Sequence, residues 1–177
     1  MKYLLICILG VMLLSSIHLD FYKDFTRDVS ITLPECVINK VISDTENMTY
    51  DEIAEYCCNL TNSLVDYSLT VNLTDTLENS QGHCVTYSTI CKEMCNIAYK
   101  THNISAKAYV SVGHIKCVGI DLHSLFKAIT PTKYHRFFTS HDVVEIVYNG
   151  QSRLYDPSLT DITKQQITYN LITKSAN

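Results

Sequence analysis

Between residues 50 and 67 the apolar positions Ile53, Cys57, Leu60, Leu64 and Tyr67 recur three or four apart, and this spacing predicts an amphipathic helix. Thr49 with Glu52 three residues later forms a capping box, in which each residue satisfies a backbone N–H that the first turn leaves free. Cys57 and Cys58 are adjacent on that helix, so at most one of them should face inward. "LPECVINKVIS" predicts a shorter helix before it, and the polar, turn-rich "VNLTDTLENSQG" follows it. Helical period returns from Cys84 to about His102, with Cys84, Ser88, Cys91, Cys95 and Ala98 on one face. Small residues there let the helix lie close against a sheet. Cys91 and Cys95 sit one turn apart and point in nearly the same direction, a poor geometry for bonding each other, so both read as packing residues. "AKAYVSVG" has strand character, and "DLHSLFKAI" reads as a short helix with Leu122, Leu125, Phe126 and Ile129 inward. "HDVVEIVYNGQSRLYDP" is a hairpin around Asn149-Gly150, a preferred type I′ turn. Helices thus precede a small antiparallel sheet, which is an α+β order.

The N-terminus changes the picture of where this domain resides. "MKYLLICILGVMLLSS" has one lysine, an apolar run from Tyr3 to Leu14 and two small serines, and it reads as a signal sequence. Residues 1–19 are therefore expected to be a signal peptide or an uncleaved anchor, and 20–177 a single exported domain: secreted, periplasmic or membrane-anchored outside the cytoplasm. Any membrane contact is expected only through that anchor. Cys7 lies within the apolar run, leaving Cys36, Cys57, Cys58, Cys84, Cys91, Cys95 and Cys117 in the domain. Seven is an odd number, so at least one thiol stays unpaired within the chain. Cys36 with Cys57 or Cys58 is the favoured bridge if one forms. Sequons stand at Asn47, Asn59, Asn72 and Asn103. A formal charge of −4, a pI near 5.9 and scattered Lys and Arg offer no basic stripe, which excludes nucleic acid as an expected partner.

A two-residue turn fixes hairpin register, so Tyr148 should face Gln151, Glu145 should face Leu154 and Val143 should face Asp156. His141 shares the face of Val143. Asp156 then lies one diagonal step from His141, at the ~7–8 Å Cβ range that two polar side chains can close to a hydrogen bond. The third element is Cys84, placed two residues after Gly82 at the first turn of the predicted helix. Free N–H groups and the helix dipole lower a thiol's pKa there and can hold an oxyanion. Cysteine, histidine and aspartate so arranged are a nucleophile, a base and an orienter.

"GHC" opening a helix, then "HDVVEIVYNGQSRLYDP", resembles the transglutaminase-like superfamily, a papain-related group. Its members share Gly-x-Cys at a helix start, a His beginning a strand and an Asp, often followed by Pro, ending the next strand. Cys84, His141 and Asp156 match these places in order, and the resemblance covers roughly residues 80 to 160. It implies a papain-like core with the nucleophile at the N-terminus of a central helix. The implied activity is thiol catalysis on amide bonds of a protein or peptide through an acyl-enzyme, without a cofactor. Gln81 is the candidate for a side-chain oxyanion donor. No run of carboxylates resembles a calcium loop. Small exported relatives without such loops look more like hydrolases (peptidases or amidases) than cross-linking enzymes.

Two other classes compete. The family often has an aromatic residue after the catalytic His, whereas Asp142 stands there and the chain has no tryptophan. A non-catalytic domain that keeps the fold for binding or envelope assembly is the alternative on that ground. His83, Cys84, His114, Cys117 and His123 include an H-x-x-C spacing usable for zinc, but no second close pair of the C-x-x-C kind, and no metal site is assigned. His18, His102 and His135 read as solvated histidines in polar runs.

Overall fold

The computed structural model describes residues 19–68, 80–117, 119–129, 140–163, 167 and 169–173. The predicted signal segment lies outside them except for Leu19, as do Asn72 and His135. The chain begins with strand β1 (Leu19–Arg27), then runs through helices α1 (Glu35–Asp44) and α2 (Tyr50–Leu64), the short strands β2 (Asp66–Tyr67) and β3 (Gln81–Gly82), and α3 (Cys84–Thr101). After these come β4 (Lys107–Cys117), β5 (Ile120–Asp121), α4 (Leu122–Ile129), β6 (His141–Tyr148), β7 (Gln151–Tyr155), α5 (Pro157–Thr163) and β8 (Tyr169–Thr173). The architecture is α+β.

The main sheet runs in the order β7-β6-β4-β1-β8, with β5 added to β4. It is mixed rather than antiparallel, because β8 pairs with β1 in parallel. Two strands of this sheet escape the sequence pattern. β1 abuts the apolar leader and buries only Phe21 among its nine residues, so its alternation is weak. β8 gains its place from pairing with β1, a partner 150 residues away in "YNLIT" against "LDFYK". Strands β7 and β8 approach each other, so the sheet is largely closed.

Helix α2 begins with the predicted capping box: the Glu52 N–H donates to Thr49 Oγ1, and the Thr49 N–H donates to Glu52 at 2.8 Å. It ends at Leu64, three residues short of Tyr67, which lies on β2 and is exposed. Helices α1, α2 and α3 pack on one face of the sheet, where Val41, Ile53, Ile90 and Met94 meet Val144 and Ile146. Full burial of each aliphatic side chain contributes about 1.5–3 kcal/mol. Phe21, Ile115, Val143 and Leu154 fill the opposite face. Neighbouring residues of β6 thus belong to two different cores, as a strand covered on both sides requires.

Three packing expectations are corrected. Cys57 and Cys58 are both buried, because both reach α3: Cys58 Sγ lies 3.3 Å from Cys91 Sγ, and Cys57 hydrogen-bonds Cys95. Consequently the face carrying Cys84, Ser88, Cys91 and Cys95 does not all meet the sheet. Ser88 Oγ donates to the Asp142 carbonyl on β6 at 2.8 Å, whereas Cys91 and Cys95 turn to α2. Leu125 on α4 is 41% exposed rather than inward, while the side chains of Phe126 and Ile129 lie outside the description. All seven described cysteines are free thiols, with Cys36 exposed and apart from buried Cys57 and Cys58. The sequon residues Asn47, Asn59 and Asn103 are exposed.

The hairpin has the expected register, with Tyr148 opposite Gln151 and Glu145 opposite Leu154. Asn149 and Gly150 have φ of 50° and 76°, the pair of positive values that a type I′ turn demands.

Candidate active site

Cys84 is the first residue of α3, after His83, whose extended backbone (φ −122°, ψ −174°) supplies the helix N-cap. The segment entering the helix is held by β3 pairing with β2: the Asp66 N–H donates to the Ser80 carbonyl at 2.8 Å and the Ser68 N–H to the Gly82 carbonyl at 2.6 Å. Residue 82 must be glycine on steric grounds. A Cβ there would stand 2.6 Å from Thr86 Cγ2 and 2.7 Å from Thr86 Cβ, and Thr86 is fully buried. The Gly-x-Cys spacing therefore lets the strand run tightly onto the first turn of α3, whose N–H groups have no partner within the helix. Cys84 is partly exposed there.

His141 begins β6 opposite Gly113 on β4. A Cβ on Gly113 would come 2.1 Å from the Tyr22 carbonyl of β1, so only glycine permits this approach. His141 Nε2 lies 2.5 Å from Asp156 Oδ2, which leaves Nδ1 as the nitrogen for the Cys84 thiol, to which His141 is also hydrogen-bonded. Asp156 follows the last residue of β7 and its side chain is fully buried. It accepts four hydrogen bonds, the others coming from Tyr169 Oη on β8 at 2.5 Å, Ser158 Oγ at 2.8 Å and the Leu159 N–H at 2.9 Å. Pro157 opens α5 immediately after it, so Asp156 caps that helix while it holds the imidazole.

The electrostatics follow from these contacts. Burial alone would disfavour the Cys84 thiolate, yet hydrogen bonds from His141 and His83 and the positive charge of His141 bring its pKa down to about 6. Burial likewise opposes the His141 imidazolium, but the Asp156 charge and hydrogen bond, with those of Cys84, raise its pKa well above the ordinary histidine value. Asp156 is held below the ordinary carboxylate value despite burial, chiefly by His141 and then by the Leu159 N–H and Tyr169 hydroxyl. Cys84 and His141 therefore form a thiolate–imidazolium pair at neutral pH. Cys91 behaves in the opposite way: burial and its hydrogen bond to Cys58 push its thiol well up.

The three residues singled out in the sequence thus meet. Gln81 sits on β3 and is exposed, three residues before the thiol. Three contributors escaped the sequence reading. His83 hydrogen-bonds the thiol, and adjacency to Cys84 was its only signal. Ser158 was legible as an Asp-x-Ser turn, whereas Tyr169 had no local signal because β8 reaches the site through the sheet. Asp142, which stands where an aromatic residue was expected, is buried and accepts from Arg27 Nε at 2.6 Å and from its Nη2 at 3.3 Å. Comparison with protein-family models, with curated proteins and with solved structures finds no match for this chain.

Proposed function

We propose that this chain is an exported thiol hydrolase of the transglutaminase-like kind, acting on an amide bond in a protein or peptide. The reading is carried by one observation, the hydrogen-bonded relay from Cys84 through His141 to Asp156. The Cys84 thiolate attacks the carbonyl carbon, and N–H groups of the first turn of α3 stabilise the oxyanion, with Gln81 as the side-chain candidate. His141 delivers its Nδ1 proton to the amide nitrogen as the C–N bond breaks, releasing an amine and leaving a thioester on Cys84. Neutral His141 then takes a proton from water, the hydroxide attacks the thioester, and the C–S bond breaks to give a carboxylic acid and the thiolate. Asp156 keeps the imidazole ring in the required tautomer throughout.

The test is to incubate the chain with an activated acyl ester and search by intact and peptide mass spectrometry for a thioester. Acyl mass on Cys84, absent from Cys84→Ala and lost over time to water, supports the reading. Acylation elsewhere or none at all, while the fold is intact, sinks it. Transfer of the acyl group to an added primary amine in preference to water would replace hydrolysis by acyl transfer.

A further inference from the structure

We propose that His114, Asp121 and His123 form a zinc-class divalent metal site beside the thiol centre, built at the β4–β5–α4 junction. Antiparallel pairing of β5 with β4 sets Lys116 opposite Asp121, which puts Asp121 diagonal to His114. Asp121 is followed by the first turn of α4, so His123 folds back towards its carboxylate. One donor atom from each of the three residues lies within 4.8 Å of the others.

Two features distinguish this cluster from three neighbouring polar side chains. Nδ1 of His114 and Nδ1 of His123 are both buried and neither has a hydrogen-bond partner, although His123 is only 6% exposed. A buried polar atom without a partner keeps the cost of leaving water uncompensated, so a ring nitrogen left in that state marks a place for a ligand. Both orphan atoms face the same carboxylate, at 3.5 Å from Asp121 Oδ2 and 3.7 Å from Asp121 Oδ1. Metal–donor bonds of 2.0–2.1 Å in tetrahedral array put adjacent donors roughly 3.3–3.4 Å apart, so small side-chain shifts close this set on an ion.

Surrounding contacts hold the donors in place. His114 Nε2 faces Asp24 Oδ2 at 3.3 Å, the carboxylate partner that orients a ligating imidazole. Asp121 Oδ1 accepts from the N–H groups of His123 and Ser124 at 2.8 and 3.2 Å. Two imidazoles and one carboxylate suit zinc and its neighbours, whereas calcium and magnesium require oxygen donors. Cys117, three residues after His114, takes no part: a spacing of three on a strand places the two side chains on opposite faces. The His114 and Asp121 side chains are 34% and 28% exposed, which gives an ion a way in and leaves the fourth position to water. The His123 ring centroid is 6.1 Å from that of His141, so an ion here would add positive charge next to the thiol centre. The site itself does not depend on thiol chemistry.

The measurement is titration of the full-length, chelator-treated chain carrying Cys7→Ser, Cys36→Ser and Cys84→Ala, which removes Cys7 and the two thiols that are not buried among the described residues. Isothermal titration with Zn²⁺ should give one ion per chain. Co²⁺ should give visible tetrahedral bands without thiolate charge transfer. His114→Ala and Asp121→Asn should each weaken zinc binding at least about tenfold with unchanged far-UV circular dichroism. His123→Ala should do the same, and if burial makes that variant unfold, the two partly exposed positions decide. No uptake at millimolar zinc, or affinity unchanged in His114→Ala and Asp121→Asn, overturns the proposal.

Discussion

Reactivity is set by the company each thiol keeps. Cys84 titrates near pH 6 because His141 and His83 stabilise its anion, whereas Cys91 is held protonated by burial. In a Cys36→Ser background, which removes the exposed competitor among the described residues, the pH dependence of iodoacetamide alkylation at Cys84 should show a midpoint near 6. His141→Ala should move that midpoint towards the ordinary cysteine value of about 8.5. A midpoint that stays put would show that the imidazolium is not its cause. The proposed hydrolysis needs thiolate and imidazolium together, so its rate should rise as pH passes about 6 and fall as His141 deprotonates, well above its usual value. Asp156→Asn retains the shape of the side chain but removes the charge that holds His141 protonated. Turnover should drop by about 10²–10⁴-fold, the range a positioned proton donor contributes, with the hairpin still folded by circular dichroism.

At the element scale, two glycines show how local backbone serves the site. Gly82→Ala would drive a methyl group into buried Thr86, and overpacking of this kind costs about 1–3 kcal/mol. Relief comes by shifting the first turn of α3, where a 1 Å displacement of a nucleophile costs about 10²-fold in rate. Turnover should therefore fall far more than the urea midpoint. Gly150 has open space around its Cβ position and needs only its φ of 76°. Gly150→Ala should cost about 1–2 kcal/mol in denaturant unfolding, the penalty of a left-handed non-glycine residue. Because register is shared with Tyr148 opposite Gln151, the same variant should lower activity only through the fraction unfolded.

At the scale of the whole molecule, the sheet is tied together by charges buried between strands. Arg27 on β1 meets Asp142 on β6 across β4, and Lys23 meets Glu145 at 2.5 Å in the same manner. Asp142 has only 2% of its side chain exposed, whereas Arg27 retains 33%. Arg27→Met should therefore destabilise the chain by about 3 kcal/mol, the lower end for breaking a buried pair, since it strands a carboxylate that water cannot reach. Arg27→Met with Asp142→Asn should recover much of that loss in thermal or urea unfolding. Failure to recover would show that the ion pair is not the source.

Features that depend on neighbours within a turn or a hairpin are legible along the chain. The Thr49–Glu52 cap, the helix starting at Cys84 and the Asn149-Gly150 turn follow from short-range sterics and hydrogen bonding. The facing of His141 and Asp156 follows too, because a two-residue turn leaves only one register. Long-range packing sets the remainder. Pairing of β8 with β1 brings Tyr169 onto Asp156, and no periodicity in "YNLIT" encodes a partner at the far end of the chain. Burial of both Cys57 and Cys58 required α3 to lie against α2, and the meeting of His114 with His123 required β5 to double back on β4. Such contacts gain their free energy only when distant segments pack together, so the local pattern of the chain carries no record of them.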